Sequence, residues 1–122
     1  MAVRVLIADD HRLFAEALQA ILGSDRRIDV VGLAASGTEA VAKAKDLQPD
    51  VILMDISMPG LNGVDATREI LATQKNVQVL MVTGSDARQD VDASRTAGAA
   101  GYITKDRIAS QLVEAIVEAA SR

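Results

Sequence analysis

Cysteine is missing from this sequence, and histidine, phenylalanine and tyrosine occur once each, as His11, Phe14 and Tyr102. Without cysteine there is no disulfide framework, no thiol nucleophile and no thiolate zinc site. A lone histidine excludes a multi-histidine metal site, and two aromatic rings are too few to line an aromatic cofactor pocket. Basic charge is also in deficit, with 13 Lys and Arg against 17 Asp and Glu, a net charge of −4 and a pI of about 4.9. Binding to nucleic acid needs clustered Lys and Arg to neutralise phosphates, so no direct nucleic-acid contact is expected from these residues. A DNA-binding partner domain outside them stays open. No apolar run is long enough to span a bilayer, and Met1-Ala2-Val3-Arg4 has no signal-peptide pattern. A cytoplasmic protein without membrane contact is expected.

Apolar side chains are plentiful instead, at 49% of 122 residues. That is enough for the core of one domain and too short for two ordinary ones. The most informative stretch is Val51-Ile52-Leu53-Met54-Asp55, followed by Ile56-Ser57-Met58-Pro59-Gly60-Leu61-Asn62-Gly63. Four apolar residues in a row read as a strand covered on both faces, a pattern of parallel sheets flanked by helices. A carboxylate ends the run, and Pro and Gly then turn the chain. Asp55 is therefore expected at the carboxyl end of a central strand, the edge where open α/β sheets bind ligands.

The remaining pattern alternates. Strands are expected at 3–8, 28–33, 77–82 and 101–103, besides 51–54. Helices are expected at about 11–22, from Ser36-Gly37-Thr38 to Pro49, from Asn62 or Gly63 past Leu71, at about 88–97 and at about 108–120. In the first helix Leu13, Phe14, Ala17, Leu18, Ile21 and Leu22 fall on one face, and Gly23 supplies a stop. The helix at 88–97 has only Val91 and some Ala to bury and is expected to be weakly held. Strands alternating with helices give a flavodoxin-like, three-layer (βα)5 domain over 1–122. The sheet is expected to be parallel and five-stranded, in the order 2-1-3-4-5, with its switch point between the first and third strands.

That topology gathers the unusual polar residues. Asp9 and Asp10 end the first strand, Asp55 the third and Thr83 the fourth, and Lys105 follows the fifth. Carboxylates this close need a compensating cation to stay ionised. Oxygen ligands without thiols suit Mg2+, which takes one or two carboxylates, waters and a phosphate oxygen. Asp10 and Asp55 are candidate direct ligands, with Asp9 through a water and the Ser57 backbone carbonyl. A carboxylate oxygen also attacks phosphoryl groups. Asp55 is the candidate phosphoacceptor, with Lys105 and Thr83 covering phosphoryl oxygens. Gly60 and Gly84 are expected to keep the approach open.

These residues, in this order, resemble the receiver domain of two-component response regulators. Ile7-Ala8-Asp9-Asp10-His11, the run from Met54 to Gly63, and Gly101-Tyr102-Ile103-Thr104-Lys105-Asp106 resemble its NarL/FixJ branch, in which a receiver precedes a LuxR-type helix-turn-helix domain. Many receivers carry Pro, often cis, after the Lys; Asp106 stands here, so no cis bond is expected. The resemblance implies a sensor histidine kinase as donor to Asp55 and Mg2+ as cofactor. It also implies a switch in which Thr83 moves and Tyr102 swings inward, altering the face made by the fourth helix, fifth strand and fifth helix. Side chains at Ser57 and Ser85 tune loss of the phosphoryl group in this scheme. An output or DNA-binding domain and a homodimer formed on phosphorylation complete it. The domain is a self-catalysed phosphoacceptor rather than an enzyme acting on a separate substrate.

Other functions fit less well. A haloacid-dehalogenase-type phosphatase carries Asp-x-Asp at its nucleophile, and Ser57 fills the second position. Flavin binding on this fold needs a phosphate loop where Asp9-Asp10 would repel one. No Walker-type Gly-x-x-x-x-Gly-Lys is present. A stand-alone receiver that relays or drains phosphoryl groups remains the alternative to a transcription regulator. His11 is read as structural.

Overall fold

The structure, a computed structural model, describes residues 2–84 and 87–121. The elements follow the expected alternation: β1 (Val3–Ala8), α1 (Arg12–Gly23), β2 (Ile28–Ala34), α2 (Gly37–Leu47), β3 (Val51–Met54), α3 (Gly63–Thr73), β4 (Gln78–Thr83), α4 (Arg88–Ala97), β5 (Gly101–Thr104) and α5 (Ile108–Ala120). A single 3-10 turn, Lys105–Arg107, leads into α5. All four strand pairings are parallel, and the order is β2-β1-β3-β4-β5.

Period-two alternation divides the strand side chains between two cores. Val5, Ile7, Val51 and Leu53 pack with Leu18, Leu22, Leu112 and Ile116 from α1 and α5. Leu6, Ala8, Ile52 and Met54 pack with Ala40, Ala44, Ala66 and Ile70 from α2 and α3. Residues 51–54 are at most 1% exposed, as expected for a strand covered on both faces. Full burial of each large side chain contributes roughly 1.5–3 kcal/mol, so the central strand is firmly anchored.

Caps set the helix starts. Ser36 accepts from Glu39 N at 3.1 Å, and the Glu39 carboxylate accepts from Ala35 N, a reciprocal arrangement close to a capping box. Asn62 accepts from Asp65 N at 2.9 Å. Gly23 proves to be the last residue of α1 rather than its stop. Ser24 caps that helix, its hydroxyl donating to the Ile21 carbonyl at 2.8 Å.

Two expectations about helix faces need correction. Leu13 is 82% and Ile21 46% exposed, because α1 meets the sheet with Phe14, Ala15, Leu18 and Leu22. The Leu13, Ala17 and Ile21 row lies one step around the helix and faces solvent. In α4 the buried residues are Ser94 and Ala97, and Val91 is half-buried. Ser94 returns its hydroxyl to the Asp90 carbonyl at 2.8 Å. The fully buried side chains of α4 are thus smaller than expected.

Candidate functional site

Parallel strands direct all their carboxyl ends to one edge. Asp9 N donates to Ala34 O and Asp55 N to Ala8 O, both at 2.9 Å, so the ladder itself fixes the two carboxylate-bearing residues side by side. Both are almost fully buried, at 4% and 3% exposure. Asp10, next in sequence, is exposed, and its Oδ1 lies 3.4 Å from His11 Nδ1. Ligand atoms of Asp9, Asp10, His11 and Asp55 all fall within 4.8 Å of one another.

Lys105 arrives from the end of β5. Its ammonium lies 2.9 Å from Asp9 Oδ2 and 3.5 Å from Asp55 Oδ2, bridging the two buried carboxylates. The same nitrogen stands 4.3 Å from the centre of the Phe14 ring. A cation over an aromatic face is attracted by the ring quadrupole, so Phe14 fixes where the lysine tip rests. The Thr83 hydroxyl, at the end of β4, hydrogen-bonds to Asp55.

Burial, and after it the Asp9 carboxylate, push the Asp55 carboxyl above its ordinary range, while Lys105 and Thr83 pull it back. A carboxyl whose folded pKa is raised contributes stability below the unfolded value of about 3.8 and loses it as pH rises through the folded value. In metal-free buffer Asp55→Asn is therefore expected to raise Tm at pH 7, with the gain shrinking toward pH 4. Thermal melts of both chains at the two pH values check this; an equal gain at both would contradict it.

Asp9, Asp10, Asp55, Thr83 and Lys105 are thus brought together as expected. Ser57 is exposed in the loop after β3. Tyr102 pairs with Met81 in the sheet and packs half-buried against the α2–α3 core. It lines a groove with Val91, Arg95 and Arg107, away from the carboxylates. Ser85 lies outside the described residues. No cis peptide bond occurs among the described residues. A side chain on Gly60 or Gly84 would meet no protein atom within 4 Å. Gly60 also has a φ of 71°, which favours glycine.

Two residues were not read as part of the site from sequence: His11 and Phe14. His11 follows Asp9-Asp10 directly, and that adjacency was the available signal. Nothing in the sequence places Phe14 beneath Lys105.

Residues 5–117 match the family model described as the response regulator receiver domain. The chain belongs to this family. The receiver domain is 40% identical over 114 residues to "Response regulator GacA" of Pseudomonas viridiflava, covering 93% of this chain and 53% of that protein. It is 37% identical over 115 residues to "Transcriptional regulatory protein LnrK" of Bacillus subtilis, covering 94% and 52%. The chain thus spans about half the length of these curated relatives. Among solved structures, the response regulator domain of Thermotoga maritima CheB superposes with a TM-score of 0.94 at 34% identity, covering 100% of this chain and 98% of that one. The receiver domain of the putative response regulator NarL from Mycobacterium tuberculosis gives a TM-score of 0.94 at 32% identity, covering 98% and 97%. These relatives agree with the NarL/FixJ resemblance. No helix among the described residues is long and apolar enough to cross a membrane.

Proposed function

We propose that this receiver domain accepts a phosphoryl group on Asp55 from a sensor histidine kinase, with Mg2+, and thereby switches an output. The observation that carries the reading is the meeting of Asp9, Asp10 and Asp55 from two strand ends with Lys105 from a third. The donor set fits a hard divalent cation. Asp9 Oδ2 is buried and accepts no hydrogen bond; the Lys105 ammonium beside it is an ion-pair partner whose direction does not suit one. Asp10 and Asp55 would hold the cation directly, Asp9 through a water, and the Ser57 carbonyl would complete the protein's share. Mg2+ supplies neutralisation of phosphoryl charge when bound.

An Asp55 carboxylate oxygen attacks phosphorus, the phosphorus–nitrogen bond of the donor breaks, and the donor imidazole leaves with the bonding pair. Lys105 balances charge on a phosphoryl oxygen, and Thr83 exchanges its bond to the carboxylate for one to the phosphoryl group. Tyr102 follows into the space Thr83 leaves. The face of α4, β5 and α5 then changes, and the small buried side chains of α4 favour such an element as the mobile one. Ser57 and Ser85 set how fast water removes the phosphoryl group.

Output through transcription is supported by relatives such as "Transcriptional regulatory protein LnrK", of which this chain matches about half. A DNA-binding domain would lie outside the residues described, and a homodimer on phosphorylation would bring two together. The cytoplasm is the compartment that suits kinase and output alike.

Incubation with a small-molecule phosphodonor and Mg2+, followed by mass-spectrometric mapping, tests the proposal. One phosphoryl group on Asp55 is expected, and a label elsewhere refutes it. Asp10→Ala is expected to weaken Mg2+ binding at least about tenfold by calorimetry; an unchanged isotherm would place the cation elsewhere. Lys105→Ala is expected to retain metal binding but to lose most of the beryllofluoride-induced shift in α4–β5–α5 amide resonances. A full shift would remove Lys105 from the switch.

A further inference from the structure

His11 has no part in the scheme above, yet it occupies the mouth of the carboxylate cluster. Its position follows from the local chain. The backbone at His11 is extended, with φ −83° and ψ 93°, and its side chain makes no helix-capping hydrogen bond. Its N–H donates to Asp9 Oδ1 at 2.8 Å, which turns the ring back over the strand end. Ring Nδ1 then lies 3.1 Å from Asp9 Oδ1, 3.4 Å from Asp10 Oδ1 and 3.7 Å from Asp55 Oδ2.

In the Nδ1–H tautomer the ring donates to Asp9 Oδ1 at 3.1 Å; in the other tautomer its lone pair faces the carboxylates and calls for a metal ion between them. The 3.4 Å between His11 Nδ1 and Asp10 Oδ1 suits two ligands of one metal ion. With metal–ligand bonds of about 2.1 Å, adjacent ligands are about 3.0 Å apart in an octahedron and about 3.4 Å in a tetrahedron. Beside these atoms stands the buried Asp9 Oδ2, ion-paired with Lys105 at 2.9 Å but accepting no hydrogen bond. The imidazole itself is 64% exposed and has room to adjust.

We propose that His11 Nδ1 is a direct ligand in this receiver's cation site, giving a mixed nitrogen–oxygen pocket that takes Zn2+ or a neighbouring first-row ion more tightly than Mg2+. The inference rests on the reading of the Asp9–Asp10–Asp55 pocket as a cation site. Mg2+ prefers oxygen and gains little from an imidazole, whereas Zn2+, Co2+ and Ni2+ gain a favoured donor. The chemistry of the added ligand therefore separates the ions: removing it should penalise Zn2+ and spare Mg2+. Transition-metal supply would then bear on how long the pocket is available to Mg2+ and a phosphodonor.

His11 is the sole histidine of the 122 residues, so its ring nitrogens give one unambiguous signal in proton–nitrogen correlation spectra of the wild-type chain. One equivalent of Zn2+ is expected to move the Nδ1 resonance and leave Nε2 protonated. Mg2+ should leave the ring unshifted while moving the amides of Asp10 and Asp55. By calorimetry, His11→Ala is expected to lose Zn2+ affinity by about tenfold or more and Mg2+ affinity by less than about twofold. Ring nitrogens that ignore Zn2+, equal losses for both ions, or a Zn2+ shift that survives Asp10→Ala undiminished would each overturn the proposal. The last result would mean a surface imidazole binding on its own. A wild-type chain that binds Zn2+ through His11 and the carboxylates but never Mg2+ would uphold His11 as ligand and refute Mg2+ as the cofactor.

Discussion

Asp55→Asn is expected to reduce phosphoryl incorporation from a small-molecule donor to background while leaving the chain folded. An amide oxygen lacks the charge and the lone-pair reactivity that a carboxylate brings to phosphorus. No neighbour replaces it: Asp9 is as deeply buried but is tied to Lys105 at 2.9 Å and to the His11 N–H at 2.8 Å, so its oxygens are already engaged. The fold should survive because Asp55 is held by its backbone, through Asp55 N to Ala8 O, and its side chain costs stability when ionised. Intact-mass spectrometry under matched donor and Mg2+ concentrations reads the result. Exposed groups in the same cluster are Asp10 and His11, whose Nδ1 lies 3.7 Å from Asp55 Oδ2. A phosphohistidine at that residue in the variant would show that the nest, rather than one carboxylate, is what reacts.

Gly63→Ala is expected to be among the most damaging single-methyl changes, alongside Gly37→Ala, whose Cβ would sit 1.8 Å from the Leu61 carbonyl oxygen. A Cβ on Gly63 would sit 1.9 Å from the Asp55 carbonyl oxygen and 2.7 Å from its carbon. Both are backbone atoms of a residue fixed by the sheet, so no flexible side chain can yield. Gly63 N also donates to Ile56 O at 2.9 Å, tying the start of α3 to the loop it would have to leave. Overpacking against rigid atoms costs about 3 kcal/mol or more, a fall in Tm of roughly 10 °C for a domain of this size. Because the displaced atom belongs to Asp55, phosphoryl uptake should fall with stability. Gly60→Ala is the contrast: its Cβ meets nothing, and only the φ of 71° opposes it, so a loss of about 1 kcal/mol is expected. Thermal melts of the two variants side by side distinguish a clash from backbone strain.

Sheet order, the placement of Asp55 and the gathering of Asp9, Asp10, Thr83 and Lys105 are legible in the sequence, and the reason is topological. Apolar runs mark covered strands, right-handed crossovers fix the order, and parallel strands send every carboxyl end to one edge. What stayed hidden depends on helix rotation and chain reversal. Periodicity grouped Leu13 and Ile21 with Leu18, yet it does not say where the neighbouring elements stop, and the apolar arc of α1 is wider than the surface it covers. Ser94 was overlooked in favour of Val91 because a serine whose hydroxyl bonds back to the preceding turn is buried at little cost, and composition alone does not display that bond. His11 looked structural since its ring direction follows from ψ at a single residue. Gly63 read as turn punctuation; that it touches the Asp55 backbone is a contact between elements.

The thin attachment of α4 divides the domain into parts that need not melt together. Strands β1, β3 and β4 share fully covered side chains with four helices, so amides there should exchange with solvent hydrogen only when the whole molecule opens. The helix at 88–97 is held by Ala97 and an inward-turned Ser94, and it can detach for a modest free energy while the sheet persists. On the proposed switch, a domain with such a seam would transmit a change at Asp55 by altering how often one helix is loose, without repacking its centre.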